Sequence, residues 1–347
     1  MSDQTVGDPA DVDDGPIDRR SRFYVERDIE PAFLRALQQE DCIVLLKGSQ
    51  QVGKTSLVRS ALRASEDAGR AVVVTDFGAP RYRDVDSLDA LYHVLATDLA
   101  DQLNLDIRPE DAWQDIWPPS TNFERYLRRV ALRSLRSHLV WALDDADHLF
   151  DVEFSSDLFA LIRSMHNERS RRPTGPWSRL TFLIAYAREA HLFIRDLDQS
   201  PFNVGTRFEL PDFTFAEIDD LNERHGSPLR SEAEVARYAR LVGGCPYLVQ
   251  RGLREMASGG ASLTTLESGD ESTRVFGSHL DRLLGPLTHH DDLGEVIRTI
   301  LRGDTPGDRA AFERLRSAGF LIGESRADAR PRCQLYAAYF EDHFLLR

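Results

Sequence analysis

Lysine is nearly absent from this chain. Of its 43 basic residues only Lys47 and Lys54 are lysine, and the rest are arginine. Cysteine is scarce as well: Cys42, Cys245 and Cys333 stand far apart, which excludes a disulfide framework and a zinc-ligand cluster. No run approaches the roughly 18 apolar residues of a membrane-spanning helix. The N-terminus lacks the apolar stretch of a secretory signal. Excess positive charge is also missing, since 57 acidic against 43 basic side chains give a formal net charge of −14. That balance opposes broad, non-specific attachment to nucleic acid, although a local basic patch can persist within it. Together these absences describe a cytoplasmic protein with no membrane partner.

The chain does have enough length and apolar content to fold on its own core. Its 347 residues, 41% hydrophobic and 29% charged, suffice for two or three domains. Residues 1–20 carry six Asp among Gly, Pro and Ser and predict a disordered acidic leader. From Phe23 onward, apolar runs alternate with helical stretches. The strands are predicted in "CIVLL" (from Cys42), "AVVVTDF" (from Ala71), "HLVWALD" (from His138), "LTFLIAY" (from Leu180) and "TRFEL" (from Thr206). Between them, Thr55–Glu66 and Phe123–Arg136 show three- and four-residue apolar spacing. This alternation predicts an α/β fold with a parallel sheet covered by helices on both faces. After Pro211 the strands stop, and "TFAEIDDLNERHG", "SEAEVARYARLVGG" and "PYLVQRGLREMASGG" read as helices closed by glycine.

The sequence Gly48-Ser49-Gln50-Gln51-Val52-Gly53-Lys54-Thr55 fits G-x-x-x-x-G-K-[ST] in full, after an apolar strand and before an amphipathic helix. Glycines there let backbone N–H groups wrap a phosphate, and the helix start adds partial positive charge. Lys54 would reach the β- and γ-phosphates of ATP, and the Thr55 hydroxyl would ligate Mg²⁺. The lysine shortage sharpens this reading. Blind to chemistry, position 54 would be lysine in about 2 of 43 cases, and a forked guanidinium cannot replace a compact ammonium here.

"LVWALDDADHLF" supplies the acidic half of such a site. Asp144 would hold the Mg²⁺ shell, and Asp145 would orient or deprotonate the attacking water. Glutamate is usual at the second position. Aspartate sets the carboxylate back by roughly 1.5 Å, and a misplacement of about 1 Å can cost on the order of a hundredfold. Slow hydrolysis with intact binding is therefore expected. Asp147 is a lesser candidate for the same role, better suited to capping a helix.

Four stretches, "FYVERDIEPAFLRAL", "LKGSQQVGKTSL", "WALDDADHLF" and "DQSPFNVGTRFELPDFT", resemble the bacterial AAA-like domain family of P-loop ATPases, close to the STAND class of signal-transduction ATPases. "LVGGCPYLVQ" and "ARPRCQLYAAYFEDHF" extend the resemblance to nearly all of the chain outside the leader. It implies an ATPase core over 21–210, a helical lid over 211–299 and a winged-helix domain over 300–347. It also implies an adenine pocket from Tyr24, Val25 and Arg27, although core packing explains Tyr24 equally. The phosphate loop would contribute Gly48, Gln51, Val52, Gly53, Lys54, Thr55 and Ser56. Pro246, in "GGCPYLV", would carry a lid contact to the nucleotide. Arg188 stands where the family places a γ-phosphate sensor, with a surface arginine as the alternative. The class often has a β-phosphate histidine, which nothing in this sequence places; His289, His290 and His343 qualify only in principle. "NERSRRP" (from Asn167) is the basic cluster from which an arginine finger could come.

The last segment reads as helix, glycine, strand, turn, a second strand in "PRCQLY" and a terminal helix, the outline of a winged helix. From Leu301 to Arg347 eight Arg oppose seven acidic residues, a poor footprint for a duplex. The favoured function is a slowly hydrolysing ATP/ADP switch that controls a separately encoded protein effector in immune or stress signalling, with homo-oligomerisation on activation. The alternatives are a DNA-linked AAA+ ATPase that uses its winged helix on nucleic acid, and a nucleotide-binding scaffold without turnover.

Overall fold

The computed structural model describes residues 15–150, 152, 154–187, 200–269, 271–288 and 290–345. Five strands, β1 (Ile43–Lys47), β2 (Ala71–Asp76), β3 (Leu139–Asp144), β4 (Leu180–Tyr186) and β5 (Thr206–Glu209), pair in the order β2-β3-β4-β1-β5, all parallel. Successive side chains of a strand point to opposite faces, and here both faces are covered. Ile43, Leu45, Trp141, Leu143, Phe182 and Ile184 join one apolar cluster with the helices Leu88–Gln102, Pro119–Tyr126 and Ser155–Arg171. Val44, Leu46, Val140, Ala142, Leu183 and Ala185 join the other, with Glu30–Gln38 and Lys54–Asp67. Continuous apolar runs are what a doubly covered parallel sheet demands.

The strand order positions the site. β4 lies between β1 and β3, and the carboxyl ends of all three open on one edge, with Lys47 opposite Tyr186 and Asp76 opposite Asp144. Such an edge is where ligands bind in open α/β sheets.

The helix expected over Phe123–Arg136 is not uniform. It runs as Pro119–Tyr126, widens into a π-helical turn at Leu127–Ala131 and ends at Leu132–Ser134. There Arg179 takes up the freed carbonyls of Leu132 (3.1 Å), Leu135 and Ser137 (3.0 Å). Of the expected leader, only residues 15–20 are described. There Ile17 is half-buried and the others are exposed, with Asp18 paired to Arg63 at 2.8 Å and Arg19 to Glu30 at 3.5 Å.

Beyond β5 come the helices Phe215–Arg224, Glu232–Val242, Pro246–Ala257, Leu263–Glu267, Ser272–Thr288, Asp291–Leu301 and Arg309–Ser317. A short antiparallel ribbon of β6 (Leu321–Ile322) and β7 (Arg330–Pro331) follows, and then the helix Gln334–Phe340. "PRCQLY" is thus only briefly a strand. Pro331 has no N–H for the ladder, the Arg332 N–H makes one last bond to Phe320 O at 2.9 Å, and Cys333 starts the helix that buries Leu335, Tyr336 and Phe340. One apolar cluster runs through all of residues 218–340 and takes in Phe23 and Val25. The expected boundary at residue 300 falls inside the helix Asp291–Leu301.

"SPFNVG" has a packing explanation. Ser200 Oγ accepts from the Phe202 N–H at 3.3 Å, and Phe202 packs among Phe150, Phe159 and Tyr186. The chain then presses Gly205 against β1, where an added Cβ would come within 2.7 Å of Leu45 Cγ and 2.8 Å of Ile43 Cγ2. Gly205→Ala is expected to destabilise the protein by about 1–3 kcal/mol in denaturant unfolding. Unchanged stability would show that this turn does not press on β1.

Candidate functional site

The loop after β1 is shaped by two left-handed residues, Gln51 (φ 64°) and Gly53 (φ 99°), the latter capping the helix Lys54–Asp67. A left-handed cap with φ near 100° suits glycine alone. The Gly48 N–H donates to Tyr186 O at 3.2 Å, anchoring the loop to the end of β4. Lys54 is 5% exposed, and its ammonium donates to the carbonyls of Gly48 (3.0 Å) and Ser49 (3.1 Å). Burial pushes its pKa down, opposed by Asp147, Asp145 and Asp144.

Asp144 ends β3 and is buried, bonded to the Thr55 side chain and to the Asp145 N–H at 3.0 Å. Burial pushes its carboxyl up, and the Thr55 bond draws it back. Asp145 adopts a left-handed backbone (φ 48°, ψ 40°), a strained conformation typical of functional turns. Its carboxyl is pushed up to about 6, first by burial and then by the charge of Asp144. Asp147 does not cap a helix. It lies inside the 3₁₀ turn Ala146–Leu149, and its Oδ1 accepts from the Ala187 N–H at 2.9 Å, just past β4.

A cavity of ≈ 390 Å³ opens over these groups. Gln51, Val52, Gly53, Lys54, Thr55 and Ser56 line it, as do Tyr24, Val25, Arg27, Asp145, Asp147 and Pro246. Gly48 and Asp144 do not line it and reach it through neighbours: the Gly48 carbonyl accepts from Lys54, and Asp144 bonds the Thr55 side chain. The candidate adenine residues differ in their engagements. The Tyr24 hydroxyl donates to Glu30 at 2.9 Å. Arg27 spends its guanidinium on Glu217 (2.8 Å), Val52 O (3.4 Å), Asp212 O (3.0 Å) and Pro211 O. Pro246 opens the helix Pro246–Ala257. Ser56 Oγ accepts from the Ile17 N–H at 3.0 Å, which brings Gly15, Pro16 and Ile17 to the cavity wall. Arg188 and His289 lie outside the described residues.

The histidine that lines the cavity is His148, and it is none of the three named from the sequence. His290 is exposed and His343 stacks on Tyr339, with its Nδ1 at 2.8 Å from Tyr339 O; neither lines the cavity. His279 does not line it either, but from Ser272–Thr288, fully buried, it meets the phosphate loop: its ring lies 3.1 Å from the Gln51 carboxamide and 2.8 Å from the Tyr336 hydroxyl, and stacks on Tyr247. Arg332 is likewise unforeseen by the sequence reading. Its buried guanidinium forks onto Asp212 (Nε–Oδ2 2.9 Å) and reaches the carbonyls of Gln50 and Gly319, each at 3.4 Å. No local spacing signals either residue, because Gln51 lies 228 positions from His279 and Asp212 lies 120 from Arg332. In the basic cluster, Arg169 binds the carbonyls of Leu180 (3.0 Å) and Glu40, and so ties the helix Ser155–Arg171 to the sheet.

The chain matches the AAA-like domain family over residues 12–342 and belongs to it. Its structure is similar to the Walker-type ATPase PABY2304 of Pyrococcus abyssi, with TM-score 0.65 at 17% identity, covering 94% of this chain and 98% of that one. It is also similar to the ORC2 protein of Aeropyrum pernix, solved as ADPNP–ADP complexes, with TM-score 0.52 at 15% identity, covering 95% and 99%. These likenesses show the P-loop ATPase fold. No curated protein matches the sequence.

Asp145 gives the site a pH signature. A carboxyl raised to about 6 in the fold holds its proton more tightly than in the unfolded chain. Its contribution to stability is full below pH ~4 and is lost as pH rises through ~6. The gain in unfolding midpoint of Asp145→Asn over wild type should therefore grow between pH ~5 and ~7.5. A constant difference would contradict the shift.

Proposed function

We propose that the chain binds ATP with Mg²⁺ in this cavity, hydrolyses it slowly and works as a nucleotide-dependent switch. In this reading the helices after residue 211 form the lid, and the terminal helix–ribbon–helix unit is a winged helix that locks the phosphate loop. One observation carries it: two consecutive loop residues are held by the C-terminal half, Gln50 by Arg332 and Gln51 by His279. ATP–Mg²⁺ that displaces these contacts would loosen a lock that ADP leaves closed, and a ligand moves such an equilibrium only through its different affinity for the two states.

The donor set suits the metal. Thr55 and Asp144 offer hard oxygens already in mutual contact. Among the described residues no three His, Cys, Asp or Glu side chains converge as a cage. Mg²⁺, which keeps waters and takes phosphate oxygens, needs no such cage; bound there, it would neutralise developing phosphate charge. Lys54 would exchange the carbonyls of Gly48 and Ser49 for phosphate oxygens. Asp145 would take the proton of the attacking water, from one methylene too far back. Arg188 is the proposed sensor. The effector is proposed to be a separate protein, with self-assembly accompanying release of the lock. Use of the terminal unit on DNA is disfavoured because Arg314, Arg316 and Arg332 are already ion-paired. No helix of the described residues is long and apolar enough to cross a membrane.

Phosphate release tests the chemistry. Lys54→Ala should abolish turnover, Asp145→Asn should lower it with nucleotide still bound, and Asp145→Glu should raise it by about tenfold to a hundredfold. Turnover that survives Lys54→Ala would overturn the site assignment. The lock is tested separately by dissociation of a fluorescent ADP. Arg332→Lys keeps the charge but loses the fork, and should speed release by about tenfold. An unchanged off-rate would remove Arg332 from the switch.

A further inference from the structure

A separate groove of ≈ 520 Å³ opens where the helices after β5 meet the terminal ribbon. Its walls come from the start of Phe215–Arg224, the end of Glu232–Val242, the ribbon β6–β7 and the helix Gln334–Phe340. Close backbone approaches hold these walls together. The Phe213 N–H donates to Gly244 O at 2.8 Å, and a Cβ added to Gly243 would come within 2.5 Å of Arg332 O.

Phe215, Ile218, Ile322 and Pro331 give the groove an apolar lining, and Phe215 is left 39% exposed. Arg240, Arg330 and Arg332 line it too, and among its described lining residues none is acidic. Arg332 is engaged by Asp212. The guanidiniums of Arg240 and Arg330 are on exposed residues and pair with no carboxylate among the described residues. In a chain of formal net charge −14, this is a local reversal of sign. Apolar surface beside unpaired cations complements a segment that carries both apolar side chains and acid. A nucleic-acid duplex would meet the cations through its phosphates and leave the apolar lining unused. We infer that this groove docks an acidic peptide segment of a partner protein. Phe215 and its apolar neighbours take that segment's apolar side chains, and Arg240 and Arg330 take its carboxylates. The inference gives a contact surface to the separate effector proposed above, and rests on that reading for the partner's existence.

The probe is a fluorescein-labelled synthetic peptide in which Asp alternates with Leu. Its binding to the full chain, followed by anisotropy, is compared with that of a Lys–Leu counterpart and of a short labelled DNA duplex. Wild type should bind the Asp–Leu peptide about tenfold more tightly than the Lys–Leu peptide, and less tightly as salt rises. Arg240→Glu combined with Arg330→Glu should weaken Asp–Leu binding by about tenfold or more. Phe215→Ser should weaken it by about threefold to tenfold. A melting curve is taken for each protein, and Arg330→Gln, expected to weaken binding in the same direction, serves if the double reversal folds poorly. Equal affinity for the two peptides, or affinity unchanged in the arginine variants, overturns the inference. So does tighter binding of the duplex, which would make this a nucleic-acid groove. Self-association of wild type that Arg330→Glu abolishes would overturn it as well, by assigning the groove to a second copy. Phosphate release should be unchanged in the arginine variants. Wild type without ATP turnover would contradict the switch reading and leave the peptide test to decide the groove.

Discussion

Asp212 is held from two sides by buried arginines, and the geometry of the site depends on that arrangement. Arg332 forks onto its carboxylate and Arg27 takes its carbonyl. The same two guanidiniums reach the carbonyls of Gln50 and Val52 in the phosphate loop. A buried guanidinium is tolerable only when its donors are satisfied, and removing its partner costs about 3–5 kcal/mol. Neither arginine can therefore let go of one acceptor without finding another. The turn after β5, the loop after β1 and the terminal ribbon are thereby obliged to move as one unit or to separate together.

The second constraint is electrostatic. A single buried ammonium, Lys54, stands among Asp144, Asp145 and Asp147. The charges do not balance, and Asp145 takes the strain, with a left-handed backbone and a carboxyl pushed up to about 6. Asp147 is steadied by the Ala187 N–H, and so links the acidic turn to the end of β4. Since β4 separates β1 from β3 in the sheet, any shift at its end is felt by both halves of the site.

Much of this can be read along the chain, for physical reasons that differ by element. The phosphate loop and Asp144-Asp145 are legible because glycine, lysine and acid at fixed spacing are local demands of the chemistry. The inner strands β1, β3 and β4 are legible because burial on both faces leaves few polar positions in them, whereas the edge strand β5 is mostly exposed. "CQLY" misleads, since a short apolar run has the same pattern in a buried strand and in a buried helix. Arg332 and His279 are invisible for another reason: each matters through a partner that only the fold brings to it. Among so many arginines, nothing marks Arg332 until Asp212 is beside it. The near-absence of lysine has the opposite effect, and composition alone singles out Lys54.

The central claim is that ATP–Mg²⁺ displaces the C-terminal half from the phosphate loop, whereas ADP is retained beneath it. Amide hydrogen exchange over Phe320–Tyr336, compared with ADP and with ATP–Mg²⁺, tests it most directly. The account predicts faster exchange in this segment with ATP–Mg²⁺, while β1 and β3 stay protected. Equal protection of the segment in both states would contradict it.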